Sequence, residues 1–181
     1  AGDKPKRTWR ELANSYKISS HLAPIPETYQ EAVIQIYAAR TWGKKGYFAV
    51  HTWLSYKEKG ALQYVRNEVI GWGRQRRGSS VVQRLGVADG QWYGQTPALL
   101  MDIRGQEAEL LIPKIKLAIE AYPYSDQYQA WPGPNSNTFT AFIGYKVPEL
   151  GLDLPSTAIG KDYQPLSGLV GRSASGSGLQ L

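Results

Sequence analysis

The segment from Tyr47 to Tyr56 constrains the fold of this chain more than any other feature. Alternate residues form two sets, and each set carries bulky side chains: Phe48, Val50, Thr52, Leu54 and Tyr56 in one, Tyr47, Ala49, His51, Trp53 and Ser55 in the other. A period of two residues is typical of a β-strand, whose successive side chains point to opposite faces. Because both faces carry bulk, both need cover, and the pattern predicts a central strand.

A second strand follows this one closely. Residues 57–62 (KEKGAL) resemble a turn, and residues 63–72 (QYVRNEVIGW) resemble a strand that returns beside the first. If the turn centres near Lys59 and Gly60, antiparallel pairing places Glu68 within a residue of the position opposite His51. The sequence therefore predicts that an imidazole and a carboxylate meet on neighbouring strands.

The hydrophobic period changes after Gly105. Apolar residues recur at spacings of three and four, which predicts a helix from about Gln106 to Tyr122 that Pro113 should kink. A shorter helix, capped by Ser136 or Asn137, should end before Pro148. With further strands near Val33 to Tyr37 and Ala98 to Ile103, the pattern indicates one α+β domain, in which an antiparallel sheet packs against a long and a short helix.

The predicted organisation has three parts: an N-terminal arm over residues 1–26, a core domain over 27–165 and a Gly/Ser-rich segment over 166–181. The chain has 181 residues and no cysteine, which excludes disulfides and a thiol nucleophile. No apolar run reaches the 18 residues that a membrane-spanning helix needs. The 21 Lys and Arg against 15 Asp and Glu, a formal charge of +6, favour anionic partners. Because metal-ligand spacings and phosphate-binding loops are absent from the sequence, we expect neither a metal nor another cofactor.

The stretch WPGPNSNTF (131–139) suggests a reaction site, because prolines and glycine deliver one serine to the start of a helix. Ser136 is the candidate nucleophile, since backbone N–H groups and the helix dipole stabilise an anion there. His51 is the candidate base, and Glu68 would orient it. Each residue also has a structural interpretation: Ser136 caps the helix, His51 is a buried structural histidine, and Glu68 pairs with Arg66.

Other residues complete a candidate cleft. Asn135 and Asn137 are oxyanion donors or ordinary turn formers, and Trp53, Trp72 and Trp131 are the predicted lining of the cleft. A basic loop with Arg74, Arg76 and Arg77 suits phosphates, lipid headgroups or nucleic acid, or is a solvated surface loop. No sequence-specific nucleic-acid signature accompanies this loop.

Several uncommon sequence motifs together resemble those of a known family: FAVHTW (48–53), EVIGWG (68–73), DIRGQEAELLIPKIKLAIEAYPY (102–124), WPGPNSNTF (131–139), VPELGLDLP (147–155) and TAIGKDY (157–163). They look like the bacterial domain-of-unknown-function 3750 family over roughly residues 28 to 165. Members of that family commonly begin with a hydrophobic segment. The resemblance therefore implies a periplasmic or membrane-anchored location, and membrane association through a segment absent from this chain. It implies no activity.

The architecture is also similar to circularly permuted papain-like proteins, which include the lecithin:retinol acyltransferase group and relatives of NlpC-type wall peptidases. Those proteins place a histidine on an early strand and Asn-Cys at the start of a later helix. His51 and Asn135-Ser136 take these places here, with serine where those families use cysteine. The resemblance implies one of two things. Either a serine hydroxyl replaces the cysteine thiol as the nucleophile, or the cleft binds a ligand without catalysis.

Three hypotheses follow. The first is a serine-dependent hydrolase or acyltransferase that acts on an envelope amide or ester. The second is a catalytically inert binding or scaffold subunit of an envelope complex, with an unknown envelope ligand or protein partner. The third is an anionic-polymer binder that works through the three arginines.

Overall fold

A computed structural model describes residues 6–42 and 48–163, with the backbone of 171–172 and 179–180. The helices and strands follow in chain order: α1 (Trp9–Ala13), β1 (Val33–Trp42), β2 (Phe48–Lys57), β3 (Tyr64–Val69), α2 (Arg74–Arg77), β4 (Val81–Gly86), β5 (Ala98–Arg104), α3 (Gln106–Glu120), α4 (Ser136–Lys146), β6 (Gly171–Arg172) and β7 (Leu179–Gln180).

Strands β1 to β5 form one antiparallel sheet in the order β4-β3-β2-β1-β5. The first four strands form a meander, and β5 returns to the free edge of β1. β2 lies in the middle of the sheet, as its two bulky faces predict. The predicted first residue of this strand, Tyr47, lies outside the described residues. The α+β class and the single domain are confirmed, whereas the permuted papain-like arrangement stays a prediction.

Helices α3 and α4 cover one face of the sheet. Leu54 and Tyr56 of β2 pack there with the buried stripe of α3 and with Phe139 and Ile143 of α4. The predicted bounds of both helices are close to those observed, and Pro113 lies inside a continuous α3. The predicted cap of α4 is wrong: Asn135 is the N-cap, because its side-chain oxygen accepts from the backbone N–H groups of Asn137 and Thr138.

The N-terminal arm and the loop between β4 and β5 cover the opposite face. Trp53 and Tyr37 from the sheet pack there with Trp92 and Ala88 from the loop and with Leu22 of the arm. The arm is fixed by one carboxylate: Asp89 accepts from the Ser19 hydroxyl and from the backbone N–H groups of Leu22 and Ala23.

Two smaller features differ from the sequence-based expectations. The basic loop 73–80 contains one helical turn, α2, flanked by Gly73 and Gly78 in left-handed conformations. In the C-terminal segment, which the sequence analysis describes only as Gly/Ser-rich, Leu179–Gln180 pairs with Gly171–Arg172. The rest of the predicted Gly/Ser-rich segment, with Leu181, lies outside the described residues.

Candidate functional site

His51 and Glu68 meet as a buried pair. His51 Nε2 donates a hydrogen bond of 3.0 Å to Glu68 Oε2, and both side chains are almost fully buried. The contact is diagonal, because β3 pairs with β2 two residues away from the predicted register: Leu54 opposes Asn67 and Ser55 opposes Arg66. A shift of two keeps each side chain on its own face of the sheet, so the predicted pair survives it.

Glu68 accepts hydrogen bonds from two arginines as well. The Arg66 Nε and Nη2 atoms lie 3.0 and 2.8 Å from Glu68 Oε2, and the guanidinium of Arg84 binds Oε1. Both sequence-based interpretations of Glu68, as the partner of His51 and as the partner of Arg66, therefore describe contacts in the structure.

Two pKa values in this network lie below their ordinary values, for different reasons. Burial alone raises the pKa of Glu68, but Arg66, His51 and Arg84 outweigh burial and hold that pKa well below 4.5. Burial lowers the pKa of His51 below 6.5, against the opposing influence of Glu68. The network consequently contains an ionised carboxylate and favours a neutral imidazole at neutral pH.

Ser136 does not join this network. Thr52, the neighbour of His51 on β2, points to α4, where its hydroxyl donates to Asn137 Oδ1 and lies 2.9 Å from Thr140 Oγ1. Because successive strand residues face opposite sides, His51 points away from α4, and its ring stacks on Trp92 with centroids 3.5 Å apart. The His51 side chain and the start of α4 therefore lie on opposite faces of β2, an arrangement that does not support the predicted proton transfer between His51 and Ser136.

The two asparagines beside Ser136 cannot serve as oxyanion donors in this conformation. Asn135 Nδ2 donates to the carbonyls of Ala130 and Ile159, and Asn137 Nδ2 donates to those of Val50 and Ile159. A side-chain amide has two N–H donors, and each of these asparagines has used both. Their observed role is to fix the start of α4 against β2 and the segment near Ile159.

The predicted aromatic cleft is not formed as expected. Trp53 is fully buried, donates Nε1 to the Ala88 carbonyl and lies under the Arg66 guanidinium. Trp72 and Trp131 are 51% and 72% exposed, and within the described residues their rings do not contact each other. The three tryptophans therefore do not line one pocket, because Trp53 belongs to the core.

Trp72 instead belongs to another ring cluster, which the sequence analysis missed. Its ring centroid is 5.5 Å from that of Tyr93 and 5.6 Å from that of Trp92, while Trp9 of the arm lies 5.0 Å from Tyr93. Trp9 is 73% exposed. Adjacent aromatics in the turn-rich stretch DGQWYGQTP were a signal for this cluster, since exposed or half-exposed rings at turns often mark binding surfaces.

The three predicted arginines have different environments. Arg77 donates to the carbonyls of Trp72 and Ile70, and Arg74 donates to the carbonyl of Asp126. Arg76 is exposed and makes no hydrogen bond or ion pair within the described part of the chain. Of the three, Arg76 is thus the guanidinium that is available to a ligand.

We call the exposed rings of Trp9 and Trp72, the half-buried ring of Tyr93 that both contact, and the basic segments 6–24 and 70–97 that carry them, the aromatic–basic surface. Those two segments carry eight cations and two acids; the cations are Lys6, Arg7, Arg10, Lys17, Arg74, Arg76, Arg77 and Arg84, and the acids are Glu11 and Asp89. Asp89 is buried, and Glu11 is bound to the start of α1 through Thr8.

Two further kinds of site are not found in the described residues. No group of three or more His, Asp or Glu side chains among residues 6–42 and 48–163 is arranged to hold a metal ion. Among the helices of the described residues, none has the length and apolar character needed to cross a bilayer.

Fold and surface together define an α+β domain with a buried His–Glu–Arg network beneath an exposed aromatic–basic surface. A family model described as "Protein of unknown function (DUF3750)" matches residues 31–163, so the chain belongs to that family, as its motifs suggest. No curated protein and no solved structure matches the chain.

Proposed function

We propose that this chain is a binding domain that engages an anionic partner through its aromatic–basic surface. A location in the bacterial envelope, which rests on the family resemblance alone, is part of the proposal. The observation that carries it is the set of contacting rings, exposed Trp9 and Trp72 with half-buried Tyr93, on two segments that carry eight cations and two acids. Tryptophan, tyrosine and arginine are the side chains that most often dominate binding energy at interfaces.

The buried network supports this surface from below. Trp92 contacts both Trp72 and Tyr93 on one side and stacks on His51 on the other. His51 is held by Glu68, and Glu68 is held by two arginines. A rigid base lowers the entropy that the exposed rings lose on binding, which favours affinity.

The same geometry argues against the serine hydrolase that the sequence suggests. A general base must come within about 2.6–3.2 Å of the proton that it takes, directly or through one water. His51 and Ser136 lie on opposite sides of the sheet, and Asn135 and Asn137 have no free N–H donor. We therefore favour the binding hypothesis over catalysis by these residues.

Heparin, a soluble polyanion, is a direct probe of the proposed function. We expect the chain to bind immobilised heparin and to elute earlier in a salt gradient when Arg76 is changed to Gln. The matched control is Lys146→Gln, which removes one charge at the end of α4 on the helical side of the sheet. No retention, or equal effects of the two variants, would overturn the proposal, because binding would then be absent or would reflect net charge alone.

A fluorophosphonate probe tests the competing hypothesis. We expect no labelling that depends on Ser136, since His51, the candidate base, faces away from α4 and stacks on Trp92. Labelling of the wild type that disappears in Ser136→Ala would contradict the proposal and restore the hydrolase hypothesis.

A further inference from the structure

We infer, on the basis of the proposed function, that the anionic partner is the headgroup surface of a lipid bilayer, into which Trp9 and Trp72 insert. Indole and phenol rings combine an apolar body with one polar atom, and they concentrate where hydrocarbon meets water. The Trp9 and Trp72 rings both contact the Tyr93 ring and expose 73% and 51% of their surface. Such a group of rings suits the boundary between headgroups and acyl chains.

The ring geometry favours a bilayer over a single-stranded nucleic acid. Proteins that bind single strands without sequence preference stack successive bases on open ring faces. Here Tyr93 lies edge-on to Trp72 and Trp92, at 79° and 80°, and Trp9 is tilted by 36° to Tyr93. These rings offer no row of parallel faces, whereas insertion into a bilayer requires only that they project from the protein.

The backbone presents Tyr93 in a fixed way. Tyr93 has φ +46, in the left-handed region that residues with side chains rarely adopt, within a turn closed by hydrogen bonds between Trp92 and Gln95. Its neighbour Trp92 is buried against His51. The exposed rings therefore rest on a constrained turn and a buried ring.

The charge distribution orients the domain toward an anionic surface. The segments around the exposed rings carry eight cations and two acids, as described above. The chain from 102 to 163, which includes α3 and α4, carries five cations and eight acids; the acids are Asp102, Glu107, Glu109, Glu120, Asp126, Glu149, Asp153 and Asp162. An anionic bilayer attracts the basic segments that carry the rings more strongly than it attracts residues 102–163.

Sedimentation with vesicles tests the inference. The probes are vesicles of phosphatidylcholine alone and of phosphatidylcholine with phosphatidylglycerol. We expect binding to the anionic vesicles that weakens with salt, together with a blue shift of tryptophan emission. Trp72→Ala should lower the partition coefficient on the order of ten-fold through lost apolar burial. Arg76→Gln should lower it about five-fold through one lost cation.

Matched variants on the helical side are the controls. Tyr145, 60% exposed on α4, and Lys146 beside it should tolerate Tyr145→Ala and Lys146→Gln without a change in partition. Trp9→Ala is the second test variant, because Trp9 is almost free of the core and its loss should leave the fold intact in thermal unfolding.

Three outcomes would overturn the inference. The first is equal binding to neutral and anionic vesicles. The second is that variants of the aromatic–basic surface bind like the helical-side controls. The third is binding to heparin without binding to either kind of vesicle. The last outcome would leave the proposed function in place and reject only the lipid partner. Failure to bind both heparin and vesicles would reject both proposals.

Discussion

The two faces of the sheet are buried by different chemistry. On the helical face, Leu54 and Tyr56 pack against aliphatic side chains of α3 and against Phe139 and Ile143 of α4. On the opposite face, aromatic rings enclose His51, Glu68 and Arg66, all of them buried. The first face gains stability from apolar area and dense packing, whereas the second depends on every buried charge finding a partner.

The comparison also separates the residues that stabilise the fold from those that we propose bind a partner. Charge pairs on the helical side, such as Lys114 with Glu149, lie at the surface, where they contribute little to stability. On the other side the paired charges are inside, and exposed cations and rings remain for a partner. We infer that the helical face mainly holds the fold, while the arm and loop face holds the binding surface.

The largest expected effect comes from the buried carboxylate. Glu68→Ala leaves Arg66 and Arg84 facing each other without a counter-charge, which should cost about 3–5 kcal/mol of unfolding free energy. Chemical denaturation followed by tryptophan fluorescence measures this. Glu107→Ala, an exposed carboxylate at the start of α3, is the matched control and should change stability by no more than about 0.5 kcal/mol. Equal costs for the two variants would show that the network is not important for stability.

A truncation on the helical face should lower stability through lost packing, independently of pH. Ile143→Ala removes buried methyl and methylene groups and leaves a cavity, at an expected cost of about 2–5 kcal/mol. The cost should be nearly independent of pH, because this cluster contains no carboxylate, imidazole or ammonium group. A cost that changes strongly between acidic and neutral pH would contradict the contrast between the two faces.

Two variants at the start of α4 test which residue caps the helix. Asn135→Ala removes the N-cap oxygen and two further hydrogen bonds, and we expect a loss of about 1–2 kcal/mol. Ser136→Ala should cost less than about 0.5 kcal/mol, because the Ser136 hydroxyl makes no hydrogen bond within the described residues. Thermal unfolding of both variants gives the comparison, and the reverse order of stability would assign the cap to Ser136.

The pH dependence should be the smallest of these effects. The folded state resists protonation of His51, whereas the unfolded chain accepts a proton near pH 6.5, so stability should fall as pH drops below 6.5. The slope from this one group is at most about 1.4 kcal/mol per pH unit. The carboxylate acts in the same direction in stronger acid, since its lowered pKa makes its stabilisation disappear below pH 4.5. His51→Gln should flatten the dependence between about pH 5 and 7, and an unchanged slope would contradict it.

Much of the fold followed from the sequence, because periodicity reports which side of an element is buried. The alternation of β2 and the three-and-four spacing of α3 were sufficient to predict a central strand and a long helix. The meeting of His51 with Glu68 also followed, since neighbouring strands joined by a short turn leave few registers.

The alternation of β2 side chains could also have indicated that His51 and Ser136 lie on different faces of the sheet. The set with Leu54 and Tyr56 is more apolar than the set with His51 and Ser55, which favours helices on the Leu54 side. His51 then had to face the other way. The aromatic–basic surface was harder to predict, because its parts are distant in the chain. Asp89 fixes the arm across 66 to 70 residues, and no local pattern in Leu22 or Ser19 indicates that contact.

A pair of double-mutant cycles tests the central claim most directly, namely that His51 belongs with Glu68 and is separated from Ser136 by the sheet. For His51→Gln with Glu68→Gln we predict a coupling energy of about 0.5–3 kcal/mol. For His51→Gln with Ser136→Ala, we predict that the two changes in unfolding free energy add within about 0.5 kcal/mol. Coupling of more than about 1 kcal/mol between His51 and Ser136 would place both side chains on one side of the sheet and contradict this account.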